Sequence, residues 1–216
     1  MALSKVDFNN INVTPAASKA LKWNSSANGF ETGDLGGNMV LLSTTTASSS
    51  GTIDITSDID STYKEYQVHF FDVHPQSGSR LAFQVDTGTN TNYNQTITST
   101  SFAARHQEGE ADDPDLGYQT GDDLAQSTSF QRLSVGGTVE TDADASATGI
   151  LHLFDPASTT FVKHFLAKTR SSQSGDYAAG DYVAGYFNTT TAITRVRFKM
   201  SSGNIDAGTI KMYGIL

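Results

Sequence analysis

Apolar and polar positions alternate most cleanly near the C-terminus. Between Ile193 and Met200, Val196, Phe198 and Met200 fall on one face, and Arg195, Arg197 and Lys199 on the other. Gly203-Asn204 and Ala207-Gly208 then place turn residues on both sides of Ile205, since glycine and asparagine tolerate the backbone of tight turns. Beyond them Ile210 and Met212 share a face, with Lys211 and Tyr213 opposite. Period two on both sides of a glycine turn predicts a hairpin with one buried face. The closing run, Thr209–Ile215, has the apolar content of a strand inside a sheet rather than at its edge.

The same period recurs upstream. It predicts strands over Thr52–Ile55, Tyr66–His74, Arg80–Asp86, Asn94–Phe102, Gly149–Phe154, Thr160–Thr169, Asp181–Asn188 and Thr194–Met200. Phe70-Phe71 breaks the alternation as a β-bulge would. All four prolines lie at the ends or outside of these runs, as strands require. Strands without helical spacers predict an all-β fold, an antiparallel β-sandwich of jelly-roll type. Arg105 to Ala147 is a long acidic excursion, within which Asp122 to Leu133 reads as a helix turn or an irregular strand.

Residues 1–45 read differently, as a loop-rich N-terminal extension ahead of a sandwich over residues 46–216. Pro15–Lys22 is helix-compatible, with Thr14 as N-cap and Pro15 at N1. Met39–Thr44 has the content of a first strand, and the Ser/Thr run Ser43–Ser50 reads as a linker. The extension holds scattered anchors (Val6, Phe8, Ile11, Trp23, Phe30) without the periodicity of a core. Two uses fit them. Phe8, Trp23 and Phe30 either dock the sandwich onto another surface, as aromatics do at interface hot spots, or close the end of their own sandwich.

Composition narrows the chemistry. The chain has no cysteine, which removes disulfides, zinc-thiolate sites and thiol nucleophiles. Lys+Arg 14 against Asp+Glu 23 gives a net charge of −9, which opposes nucleic-acid binding unless basic residues cluster. The one cluster is Arg195, Arg197 and Lys199. No apolar run approaches the ~20 residues of a membrane helix, so membrane insertion is not expected.

No motif promises catalysis. GxSxG, GxxxxGKS, GxGxxG opening a helix and HExxH are all missing from the sequence, so neither enzyme, cofactor nor metal is expected. The acidic loop Glu108–Asp123 offers oxygen ligands for calcium, but counted from Asp112 it puts Pro114 and Leu116 where an EF-hand needs ligands. His69, His152 and His164 alternate with apolar neighbours, as sheet-face histidines do. Tyr177, Tyr182, Tyr186 and Phe187 lie close together. Such aromatics stack on sugar rings, anchor protein interfaces, or pack across strands within the sheet.

Three segments carry a resemblance: DSTYKEYQVHFFDVHP (Asp60–Pro75), TGILHLFDPASTTFVKHF (Thr148–Phe165) and VAGYFNTTTAITRVRFKMSSGNIDAGTIKMYGIL (Val183–Leu216). Together they resemble a β-sandwich domain of tail-fibre and appendage proteins of tailed bacteriophages, those of marine cyanobacteria above all. The opening ALSKVDFNNINVTPAASKALKWNSSANGF is similar to leaders of such proteins. The resemblance implies a structural virion protein, assembled in the bacterial cytoplasm, whose partners are copies of itself (a trimer), other virion proteins and a host-surface glycan. A capsid-decorating or head-fibre protein and a carbohydrate-binding module are the alternatives it leaves open. It brings no catalytic residue, and Glu108–Ala147 carries none of its pattern.

Overall fold

The computed structural model describes residues 13, 19–33, 38–88, 91–109 and 114–216. The fold is all-β, with fourteen strands and no helix among the described residues. The chain divides into two units, Met1–Asn38 and Met39–Leu216. In the first, β1 (Ala20–Trp23) and β2 (Phe30–Gly33) form an antiparallel hairpin with Trp23 opposite Phe30. Its turn is closed by Asn24, whose side chain accepts from the Asn28 N–H at 3.2 Å. The expected helix over Pro15–Lys22 is therefore corrected where it can be followed: Ala20, Leu21 and Lys22 are strand, and Thr14–Ser18 lie outside the described residues. Leu21 and Trp23 sit at period two, which a helix over so short a stretch does not need.

The second unit is a sandwich of two antiparallel sheets. The larger has eight strands in the order β3 (Met39–Thr46), β14 (Ile205–Ile215), β5 (Glu65–Pro75), β10 (Ala147–Phe154), β11 (Lys163–Gln173), β12 (Tyr177–Phe187), β7 (Ile97–Gln107), β8 (Pro114–Tyr118). The smaller has four: β4 (Ile53–Ile55), β13 (Arg195–Met200), β6 (Leu81–Asp86), β9 (Gln131–Arg132). Every upstream and C-terminal run expected as a strand meets one of these. The boundary falls ahead of Met39 rather than after residue 45, because Met39–Thr46 pairs with β14 along its length. The Ser/Thr run is likewise not a linker. Ser43–Thr46 is strand, and the Ala47, Ser49 and Ser50 N–H groups bond Gly208, Asp206 and Ile205. Threonine suits a pleated surface, and here that preference wins.

The C-terminal hairpin is also corrected. β13 pairs with β4 and β6, whereas β14 pairs with β3 and β5. The Ser201–Asn204 turn therefore carries the chain from one sheet to the other, and the two strands face each other across the interior. Val196, Phe198, Met200, Ile210 and Met212 are all buried, at most 2% exposed. Between the layers, Phe83 of β6 packs edge-on against Phe165 of β11 (5.2 Å) and Phe187 of β12 (6.0 Å), and lies 6.3 Å from Phe198.

Strand lengths decide the rest. In the larger sheet β5, β7, β11, β12 and β14 have 11 residues each, against 6 in β6 and β13. At ~3.3 Å per residue the long strands overhang the short sheet by several residues. The overhang of β7, β11 and β12 is covered by an irregular segment, Leu133–Val139, not by a strand. Leu133, Val135 and Val139 bring apolar side chains to the cover, but its buried peptide groups need partners that no ladder supplies. The Leu133 and Val139 N–H groups reach the Leu81 and Ser79 carbonyls, and others are met by side chains. Gln173 donates to the Val135 carbonyl at 3.1 Å, Arg105 to the Gly136 carbonyl at 2.8 Å, and the Gly136 N–H donates to Asp122 at 2.8 Å.

The bulge expected at Phe70-Phe71 lies one residue on. Asp72 has φ +50°, and the pairing with β10 shifts between Gly149 opposite Phe70 and Ala147 opposite Val73. Gly208 of β14 faces it at φ +125°, where a Cβ would stand 2.8 Å from the Val73 Cα. Only glycine fits there. The bulge puts His69 and Phe71 on the outer face while Val73 turns into the core.

Candidate interaction surfaces

The hairpin carries the first candidate. Trp23 and Phe30 stack at 4.4 Å with an interplanar angle of 27°, yet are 61% and 42% exposed. A stacked pair with this much of both residues open to water is the composition of a contact surface rather than of a core. Lys22 and Glu31 are paired at 3.3 Å across the same two strands. Phe8, the third aromatic expected to act with them, lies outside the described residues.

The outer face of the larger sheet carries the second. One row crosses all eight strands in register: Thr44, Lys211, His69, Ile150, Lys168, Tyr182, Phe102, Tyr118. The histidines belong to this face. His69 sits 4.9 Å from the Tyr213 ring and bonds Gln67, and burial holds its imidazole below the usual range. His152 pairs with Glu65 at 2.7 Å. At the far end Phe102 and Tyr182 stack at 4.7 Å with rings 8° from parallel. Arg170 lies 5.2 Å from the Tyr182 centroid and donates to its hydroxyl at 3.0 Å. Tyr182 is thus engaged by Phe102 and Arg170 together. Tyr177 has Arg105 at 5.5 Å over its ring. Tyr182 packs on its cross-strand neighbours, and Tyr177 on Arg105.

Acidic residues gather elsewhere. A groove of about 560 Å³ at the β11–β12 turn is lined by Glu108, Glu140, Asp142, Asp144 and Asp176, with Arg170 as its cation. Among the described residues no three His, Asp or Glu side chains come together as a metal-holding group. Within the loop read as a calcium candidate, Asp115 pairs with Arg105 at 2.6 Å, Tyr118 donates to Asp123 at 2.7 Å, and residues 110–113 lie outside the described set. The basic cluster is spent locally too. Arg197 grips Asp54 through two bonds of 2.7 and 2.5 Å and lies 4.0 Å over Tyr93, while Lys199 lies 4.6 Å over Phe130.

Of three buried carboxylates, Asp86, Asp122 and Asp181, the last two lie by the irregular cover and escaped the sequence reading. Asp122, 5% exposed, accepts from Arg80, Arg132 and the Gly136 N–H. Burial alone would raise its carboxyl, but the Arg132 and Gly136 bonds and the charges of Arg80 and Arg132 outweigh that and hold it below the usual range. Asp181, fully buried opposite Thr169 and Ala103, has no such cation in contact. Burial pushes it up to about 7, against the hydrogen bonds of the Val135 N–H and Ser171. Neither was legible, since each depends on partners far off in sequence. No family model, no curated protein and no solved structure matches this chain.

Proposed function

We propose that this chain is a structural protein of a tailed-phage virion, part of a tail fibre or similar appendage, that acts by assembly rather than by catalysis. The observation that supports this reading is the exposed Trp23–Phe30 stack on a hairpin unit separate from the sandwich. Such an arrangement suits a docking arm, with the sandwich as the body it fixes in place. The segments quoted for the resemblance supply the virion setting. Copies of the chain and neighbouring virion proteins are the partners, with host-surface attachment as a secondary role and the virion as location.

The same reading extends to the winding of the sandwich. Setting aside β7, β8, β11 and β12, the strand orders are β3-β14-β5-β10 and β4-β13-β6-β9. Successive strands then alternate between the sheets except at β6 and β9, which pair with each other in the smaller sheet, and this is how a jelly roll winds. The four remaining strands extend the larger sheet beyond β10. A cryo-EM map of the intact particle tests the assignment. Density for this sandwich in a fibre or collar is expected, a position on the capsid would favour the head-decorating alternative, and absence from purified particles would overturn the virion role.

A further inference from the structure

The sandwich has four sheet edges, and three are guarded. β9 has 2 residues and β4 has 3, with Asp54 at its centre. β8 has 5, begins with Pro114 and carries Asp115. Shortness, proline and charge are the devices that stop an edge from accepting a foreign strand. β3 has none of them: 8 residues, MVLLSTTT, without charge or proline. Among the described residues β14 pairs with one side of it, and no strand pairs with the other. The one register shift falls at Leu42, which leaves Ser43–Thr46 running evenly against Thr209–Met212.

We infer that β3 is a self-association edge, pairing antiparallel with β3 of a second copy across a two-fold axis. The choice of a second copy over another protein rests on the assembly reading above and on charge. The chain carries −9 overall, so copies repel one another at most of their surface. β3 has no charge, and β14 has only Asp206 and Lys211, which cancel. This edge is where two acidic copies approach at least cost. An axis normal to the sheet keeps each outer face outward, so residues of like parity oppose. With the axis at Thr44, that residue faces its own mate and Ser43 faces Thr45, pairs that suit hydroxyl side chains. The two larger sheets then become one continuous sheet. The contact is two-fold, unlike the trimer that the resemblance implies.

The lack of native cysteine makes the test clean. Opposed Cα atoms of an antiparallel pair stand about 4.5–5.5 Å apart, within disulfide range. Thr44→Cys should therefore give a covalent dimer under mild oxidation, while the exposed Ser201→Cys should not. Thr44→Glu keeps a partner in its own sheet, Lys211, but sets two carboxylates face to face across the axis. Light scattering at tens of micromolar should show a dimer for the wild type and a dimer constant weakened roughly tenfold or more for Thr44→Glu, with the melting temperature of dilute monomer unchanged. A wild type that stays monomeric overturns the inference. So does an oligomer, including a trimer, that Thr44→Glu leaves intact and Thr44→Cys does not cross-link, although that result would leave the assembly reading standing. Thr44→Cys dimers that form only when residues 1–38 are deleted would show the chain's own leader covering the edge, and would also overturn it.

Discussion

The two ends of the sandwich interior are built on different principles. At one, where both layers are regular sheet, the backbone of the facing strands pairs in ladders, and the interior is filled by Phe83, Phe165, Phe187 and Phe198. At the other, the long strands run past the short sheet, and the cover is irregular chain. There the interior holds Arg105, Asp122, Gln173 and Asp181, because exposed peptide groups of Leu133–Val139 must be answered by side chains. An apolar filling at that end would leave the Val135 and Gly136 peptide groups without partners, at ~1–3 kcal/mol each. What a sheet pairs determines what its core can be made of.

The comparison can be broken most severely at the aromatic end. Phe198→Ala should cost ~3–5 kcal/mol, since it empties the space beside Phe83 and the smaller sheet has too few strands to collapse into it. Denaturant unfolding measures the loss, and a change below ~1 kcal/mol would mean that the layers are not packed there. Next comes the polar end. Asp122→Ala should cost about 2–3 kcal/mol by leaving Arg80 and the Gly136 N–H facing a void. Hydrogen exchange should show the Leu133–Val139 amides losing protection while those of β13 keep it. Equal loss in both would show one cooperative interior rather than two.

Asp181 sharpens the same contrast through pH. Its folded value of about 7 stands above the ordinary 3.8, so the native state binds this proton more tightly than the unfolded chain. Stability from this group is therefore fullest near pH 4, falls as pH rises towards 7, and is level above that. The groups that face it are Asp122, which reinforces the rise, and Arg105, which opposes it. Wild type should lose about 3 kcal/mol relative to Asp181→Asn between pH 4.5 and pH 8. Parallel pH profiles for the two proteins would remove Asp181 from the account. The smallest effect belongs to the sheet surface, where Tyr182→Ala should cost ~0.5–1 kcal/mol by undoing one cross-strand ring pair.

The sequence was legible wherever the signal is local. Val196, Phe198 and Met200 announce a strand with one buried face, and they are buried. Which sheet takes that strand is not local. Alternation on both sides of Gly203 reads the same for a hairpin as for a chain crossing between layers, and only the pairing with β4 and β6 decides it. Ser43–Ser50 misleads for a related reason, as a Ser/Thr run is a linker alone and a strand beside β14. Asp122 looks like one more loop carboxylate until Arg80, 42 residues away, arrives next to it. Trp23 and Phe30 stood out as interaction residues by type alone, and the hairpin pairs them.

The proposed docking role of the hairpin is the centre of the functional account, and one experiment reaches it directly. A Trp23→Ser, Phe30→Ser double variant removes the exposed stack while leaving every residue of the sandwich in place. Wild type and variant, produced together during infection, compete for the same positions on assembling particles. The account predicts that both melt at the same temperature and that purified particles contain at least tenfold less of the variant. Equal incorporation of a folded variant would contradict it.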